Sequence, residues 1–208
     1  MLSYGEFAKQ WSSLHGNTAT TGIVGGWLRI SYRMARVACT LRISSNMLTY
    51  FGVLFALFTA IASTHWSAPL FLILSLVCDG IDGSVAILSK SSSSWGATLD
   101  AVADRISEAL WAVAFYRLGV PLSWVLALAS FAAFQEYARA KLISSGVQDI
   151  GLITPAERPV RASYLFLAMI AWHLEKTHEA ASIFALILAV QQAISFVMVI
   201  RFAFSRLR

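Results

Sequence analysis

Charge is what this chain has least of. Asp, Glu, Lys and Arg make up 13% of its 208 residues, about half the share of roughly 25% usual in soluble domains. Hydrophobic residues reach 58% even with glycine left out. That balance excludes a disordered chain and argues against a soluble globular one. Cysteine is scarce as well: Cys39 and Cys78 are the whole supply. Both lie in apolar surroundings, where two small buried hydrophobes account for them without a disulfide or a thiolate metal site. The first twenty residues lack an apolar stretch after a basic start and carry Glu6, Lys9 and His15, so no cleaved secretory signal is expected.

Long apolar runs are what the chain has instead. Between polar or turn-forming breaks they predict spans near 47–63, 68–88, 96–118, 120–138, 160–174 and 181–201, each comparable to the ~20 residues a helix needs to cross ~30 Å of hydrocarbon. Residues 22–42 differ. There Arg29, Arg33, Arg36 and Arg42 interleave with Trp27, Ile30, Met34 and Val37 at helical spacing, the pattern of an amphipathic helix lying on a membrane surface. The predicted fold is an all-α integral membrane protein with six transmembrane helices preceded by an N-terminal amphipathic juxtamembrane helix. A polar N-terminal segment 1–21 leads into a membrane domain 22–208.

The basic residues give this arrangement a sidedness. With six spans, one side collects Lys9, Arg29, Arg33, Arg36, Arg42, Lys90, Arg139, Lys141, Arg158, Arg161, Arg201, Arg206 and Arg208. The other side has only Arg117 and Lys176, and Arg105 falls within the third span. Both termini are therefore expected in the cytoplasm. The basic helix reads as an anchor on anionic headgroups, and no nucleic-acid partner is expected, because that would need a basic face free of the membrane.

Aspartate is rarer still, and its placement is the strongest functional signal. Of five in the chain, Asp79, Asp82, Asp100 and Asp104 fall in or beside the second and third spans. An ionised Asp near a helix centre costs roughly 2.5–3.5 kcal/mol on insertion scales, so four together need a purpose. At about 100° per residue, Asp79, Asp82, Gly83 and Ala86 share one stripe of the second span. Gly96, Asp100 and Asp104, spaced by four, form a stripe on the third. Facing carboxylates repel one another unless cations hold them, and their hard oxygens suit Mg²⁺ or Mn²⁺. Metal ions bridged by carboxylates are a recurrent device for displacement at phosphorus.

The spacing Asp79, Asp82-Gly83, Ala86, Gly96, Asp100, Asp104 resembles the signature of the CDP-alcohol phosphatidyltransferases: Asp, two residues, Asp-Gly, two residues, Ala-Arg, eight residues, Gly, three residues, Asp, three residues, Asp. One position departs, with Ile87 where the family has Arg. The opening Asn46-Met47-Leu48-Thr49 of the first span is also similar, although Ser45 replaces a proline often found there. The resemblance covers about residues 22–205. It implies that Asp79, Asp82 and Asp100 hold two Mg²⁺ (or Mn²⁺) ions, with Asp104 the general base and a secondary metal ligand. Asn46, Thr49, Gly83, Ala86 and Gly96 would border the cytidine nucleotide of the donor. An acceptor hydroxyl would then attack the β-phosphorus of CDP-diacylglycerol and expel CMP. The resemblance further implies phospholipid biosynthesis in the inner (cytoplasmic) membrane, an active site facing the cytoplasm, and a homodimer.

Within that family, Gly96 to Asp100, Asp104 to Ser107, Ala138-Arg139-Ala140, Gly151-Leu152-Ile153, Glu157-Arg158 and a basic residue at 201 look most like the bacterial phosphatidylinositol-phosphate synthases. That likeness implies a phosphorylated polar alcohol as acceptor, inositol 1-phosphate, its phosphate bound by Arg139, Arg158 and Arg201. Arginine suits the task because its planar fork meets two phosphate oxygens at once. Alternatives are a phosphatidylglycerophosphate synthase or another acceptor within the same chemistry, a family member made inactive by the change at Ile87, and a cation-binding transporter whose intramembrane acids hold ions.

Overall fold

Helix begins earlier than the apolar runs suggest. In the computed structural model, Ser3 donates its N–H and its hydroxyl to Glu6 Oε2 at 2.8 and 2.7 Å. This capping box launches a helix whose Tyr4, Phe7, Ala8 and Trp11 recur at the spacing of one apolar face. The structure describes residues 2–14, 16, 18–147, 152–175 and 178–207. His15, Gly151, Lys176 and Arg208, used in the readings above, lie outside the described residues. Eight helices and no strand are found among those described: α1 (Tyr4–Leu14), α2 (Gly22–Thr40), α3 (Ser45–Ile61), α4 (Ala68–Ser89), α5 (Ser94–Arg117), α6 (Leu122–Ser144), α7 (Arg158–Glu175) and α8 (Glu179–Arg206).

Four of these helices stop in the same way. Arg42, Lys90, Gly119 and Gly146 adopt positive φ of 59, 57, 90 and 91°. In each case the next N–H reaches back five residues, as from Ile43 to the Ala38 carbonyl and from Ser91 to that of Ala86. These are Schellman turns, which satisfy the last carbonyls and reverse the chain. Glycine makes two of them without strain, while Arg42 and Lys90 hold a conformation that L-residues adopt at a cost.

The helices α3 to α8 fall on the six apolar runs. Only α4 and α8 are long and apolar enough by themselves to cross a membrane, or three spans if Val24–Thr40 and α3, bent by 108°, form one broken span. The remainder fall short for visible reasons. The α5 helix carries Asp100, Asp104, Arg105, Glu108 and Arg117, and α3 has 17 residues. The α2 helix carries three stripes: Leu28, Ser31, Ala35 and Ala38 are buried, Trp27, Ile30 and Val37 are exposed, and Arg29, Arg33 and Arg36 are exposed beside them.

The chain divides into two compact units, 1–55 with 73–104, and 56–72 with 105–208. In the first, Phe7, Leu28, Leu48, Ile81, Val85, Ile87 and Leu88 form one buried cluster. The Ser75 hydroxyl donates to the Gly52 carbonyl at 2.7 Å, joining α4 to α3. In the second unit α8 packs on α6 and α7, and its pattern is the reverse of a water-soluble helix. Ala181, Ala185, Gln192 and Ser195 face inward together with Leu188 and Val199, while Ile183, Ile187, Val190, Ile194 and Val197 face outward. Small and hydrogen-bonding residues inside with large aliphatics outside is the packing of helices that meet in lipid.

Candidate functional site

The first unit brings the aspartates together. One carboxylate oxygen from each of Asp79, Asp100 and Asp104 lies within 4.8 Å of the others. Helix periodicity sets this up: Asp100 and Asp104 stand one turn apart on α5, and α4 supplies Asp79. Three partly buried carboxylates so close repel one another, and their hard oxygen donors fit a divalent cation such as Mg²⁺ or Mn²⁺.

Asp82 is engaged differently from the other three. It is 5% exposed, its Oδ2 accepts from the Thr49 hydroxyl at 2.7 Å, and its Oδ1 accepts from the Gly83 N–H at 2.6 Å. Thr49 thereby ties α3 to the acidic stripe of α4. A cavity of about 780 Å³ is lined by Asn46, Thr49, Asp79, Asp82 and Asp100, with Gly83, Ala86 and Gly96 in its wall. The glycines matter in different ways. A methyl group on Gly83 would meet nothing within 4 Å, so that space belongs to the cavity. One on Gly96 would lie 3.3 Å from Ser93 Oγ and 3.7 Å from Asn46 Oδ1.

Among the lining residues not singled out as site residues from the sequence are Trp11, Leu14 and Trp27. The segment read as a polar lead-in thus holds a helix that reaches the site. Its sequence signal was the pair Ser3 and Glu6 ahead of Phe7 and Trp11. Ile87 is 3% exposed and belongs to the apolar cluster around Phe7 while bordering the same cavity.

The arginines expected from the sequence to meet the acceptor, Arg139, Arg158 and Arg201, lie in the second unit, where Arg139 belongs to an ion-pair network that the sequence did not reveal. Arg139 donates from Nη2 to Glu157 Oε1 at 2.6 Å, from Nη1 to Oε2 at 2.9 Å and from Nη2 to the Leu152 carbonyl at 3.2 Å. Glu157 Oε1 also accepts from the Thr154 N–H and hydroxyl at 2.8 and 2.7 Å. Burial works to raise the Glu157 carboxyl, but the Arg139 guanidinium and the two Thr154 donors prevail and lower it from 4.5 to about 2. Arg161, 3% exposed, pairs with Glu108 at 2.6 Å and Glu136 at 3.1 Å and donates to the Ala156 carbonyl. The Arg158 guanidinium lies over the Trp111 ring at 5.3 Å, and Arg201 is exposed on α8. The signal for the missed partners was present: Glu108 and Glu136 are acids inside predicted spans, which require partners there.

An all-helical membrane protein with a carboxylate cluster fit for a divalent cation, beside a large cavity that mixes polar and apolar walls, is the class that fold and site define. Residues 42–204 match the CDP-alcohol phosphatidyltransferase family, and the chain belongs to that family. Among curated relatives, the archaetidylinositol phosphate synthase of Aeropyrum pernix is 36% identical over 115 residues, 54% of this chain and 59% of that protein. The protein of the same name from Pyrococcus horikoshii is 29% identical over 145 residues, 65% and 74% of the two chains. The chain thus spans about three-fifths of the Aeropyrum protein. Among solved structures, Mycobacterium tuberculosis phosphatidylinositol phosphate synthase in complex with manganese and citrate superposes with a TM-score of 0.72 at 19% identity. The match covers 84% of this chain and 88% of that one. The same protein with CDP-DAG bound gives a TM-score of 0.68. At that identity the likeness establishes the fold.

Proposed function

We propose that this protein transfers a phosphatidyl group from CDP-diacylglycerol to a hydroxyl of a phosphorylated polar alcohol, inositol 1-phosphate, releasing CMP. The observation that carries the reading is the approach of Asp79, Asp100 and Asp104 within 4.8 Å beside the cavity bordered by Asn46 and Thr49. Asp79, Asp82 and Asp100 would hold two Mg²⁺ or Mn²⁺ ions, with Thr49 orienting Asp82. Bound there, the ions supply positive charge to offset the diphosphate and the leaving CMP. Asp104 takes the proton from the acceptor hydroxyl. The oxygen forms a bond to the β-phosphorus as the bond to the CMP oxygen breaks, so CMP carries away the electron pair. Gly83, Ala86 and Gly96 leave room for the nucleotide.

Arg139 and Arg158, with Arg201 in support, are the cations assigned to the acceptor phosphate, and Arg139 shares its guanidinium with Glu157. Support for this acceptor comes from the names of the two curated relatives, which both specify inositol phosphate. In this reading residues 22–208 form a six-span domain, α2 lies on the cytoplasmic surface of the inner membrane, the site opens to the cytoplasm, and the enzyme is a homodimer. The same names specify an archaetidyl lipid, so the donor test includes the corresponding archaetidyl donor.

The test is CMP release by purified protein given CDP-diacylglycerol or the corresponding archaetidyl donor, with inositol 1-phosphate, inositol or glycerol 3-phosphate in turn. Inositol 1-phosphate should be used best, EDTA should abolish release, and Asp100→Ala and Asp104→Asn should each lower turnover at least about 10³-fold. Preference for glycerol 3-phosphate would reassign the acceptor. No CMP release with any acceptor would remove the transferase reading and leave ion binding.

A further inference from the structure

We propose that α1, which lies outside the family-matched residues 42–204, is part of the donor site, with Trp11 the aromatic wall against which the nucleotide base stacks. This rests on the transferase reading above. The helix is firmly seated. Phe7 is fully buried in the cluster that holds Leu28, Ile81, Val85 and Leu88. Its ring lies 5.3 Å from that of Tyr32, and the Tyr32 hydroxyl donates to the Leu2 carbonyl at 2.9 Å. Trp11 comes one turn after Phe7, on the same side of the helix, so burying Phe7 fixes the indole at the cavity edge. There it lines the same cavity as Asp79, Asp82 and Asp100.

The lining of that cavity mixes three chemistries. Carboxylates that suit metal ions, and hence phosphates, share it with Trp11 and Trp27, and Trp27 is set so closely over Gly80, next to Asp79, that a methyl group there would come within 2.7 Å of its Cζ2. Asn46 and the serines at 91 to 94 add hydrogen-bonding groups to the same lining. A flat π face, hydrogen-bonding edges and a diphosphate are the features of a pyrimidine nucleoside diphosphate, and indoles stack on bases irrespective of other contacts. Acyl chains would gain nothing from the polar part of such a pocket.

Binding of free CDP with Mg²⁺ by calorimetry, and of CDP-diacylglycerol through its KM, tests the assignment. Trp11→Ala and Trp11→Leu should weaken both by about 5- to 100-fold, with the acceptor KM unmoved, and Trp11→Phe should stay within about threefold of the parent. Equal CDP binding by Trp11→Ala and the parent overturns the proposal, as does a Leu variant that matches the Phe variant. So does loss confined to the lipid-bearing donor with CDP unaffected, which would put Trp11 against the lipid. Absence of CDP binding in the parent overturns it too. If the parent binds CDP through Trp11 yet releases no CMP from any donor, the transferase reading fails while the place of Trp11 stands.

Discussion

Single positions in the first unit separate what the fold needs from what the cavity needs. Gly83 sits in α4 with open space over it, so nothing in the protein forbids a side chain, and alanine favours a helix over glycine by up to about 1 kcal/mol. Gly83→Ala should therefore hold or raise the melting temperature while raising the donor KM. A variant with unchanged donor use would show that the space is idle. Ile87 presents the opposite case. The family has arginine at this position, but the isoleucine is 3% exposed within an apolar cluster. Placing a guanidinium there should cost at least about 2 kcal/mol, seen as a lower melting temperature, while Ile87→Leu stays within about 1.5 kcal/mol. An arginine variant as stable as the parent would mean that the side chain escapes into the cavity.

Among the elements, the turn of residues 152–157 depends most on one ionised group. Glu157 holds a pKa of about 2 against 4.5, so its contribution is fully present above about pH 4.5 and is lost as pH falls toward 2. Thermal unfolding of the detergent-solubilised protein should show a drop in stability across that window, and Glu157→Gln should remove this part of the drop while lowering stability at pH 7. Identical pH profiles would assign the acid sensitivity elsewhere. Arg161, at the start of α7 just after this turn, is a structural tie through its pairs with Glu108 and Glu136. The six apolar runs and the aspartate spacing were legible because period and composition encode them directly. Partner choice was not: Arg139 and Glu157 are 18 positions apart, and nothing in either residue names the other. The α1 helix was missed because its apolar face is only four residues long, so the polar composition of residues 1–21 concealed it.

For the molecule as a whole, the outward aliphatics and inward small residues of α8 invert the usual sensitivity to substitution. Ala185 is fully buried, and Ala185→Leu should cost about 1–3 kcal/mol by overpacking. Ile187, 42% exposed, should accept Val or Leu with almost no change in the melting temperature. Equal losses at the two positions would count against packing in lipid. The seating of α1 also bears on how the protein is made. Phe7 shares its cluster with Ile81, Val85 and Leu88, residues that leave the ribosome long after it does. At about 5–20 residues per second, the N-terminal helix has of order ten seconds with its aromatic face finished and its partner not yet synthesised. An amphipathic helix in that position adsorbs to the bilayer surface. A wall of the cavity would then be translated, and waiting on the membrane, before the helices that close the cavity around it.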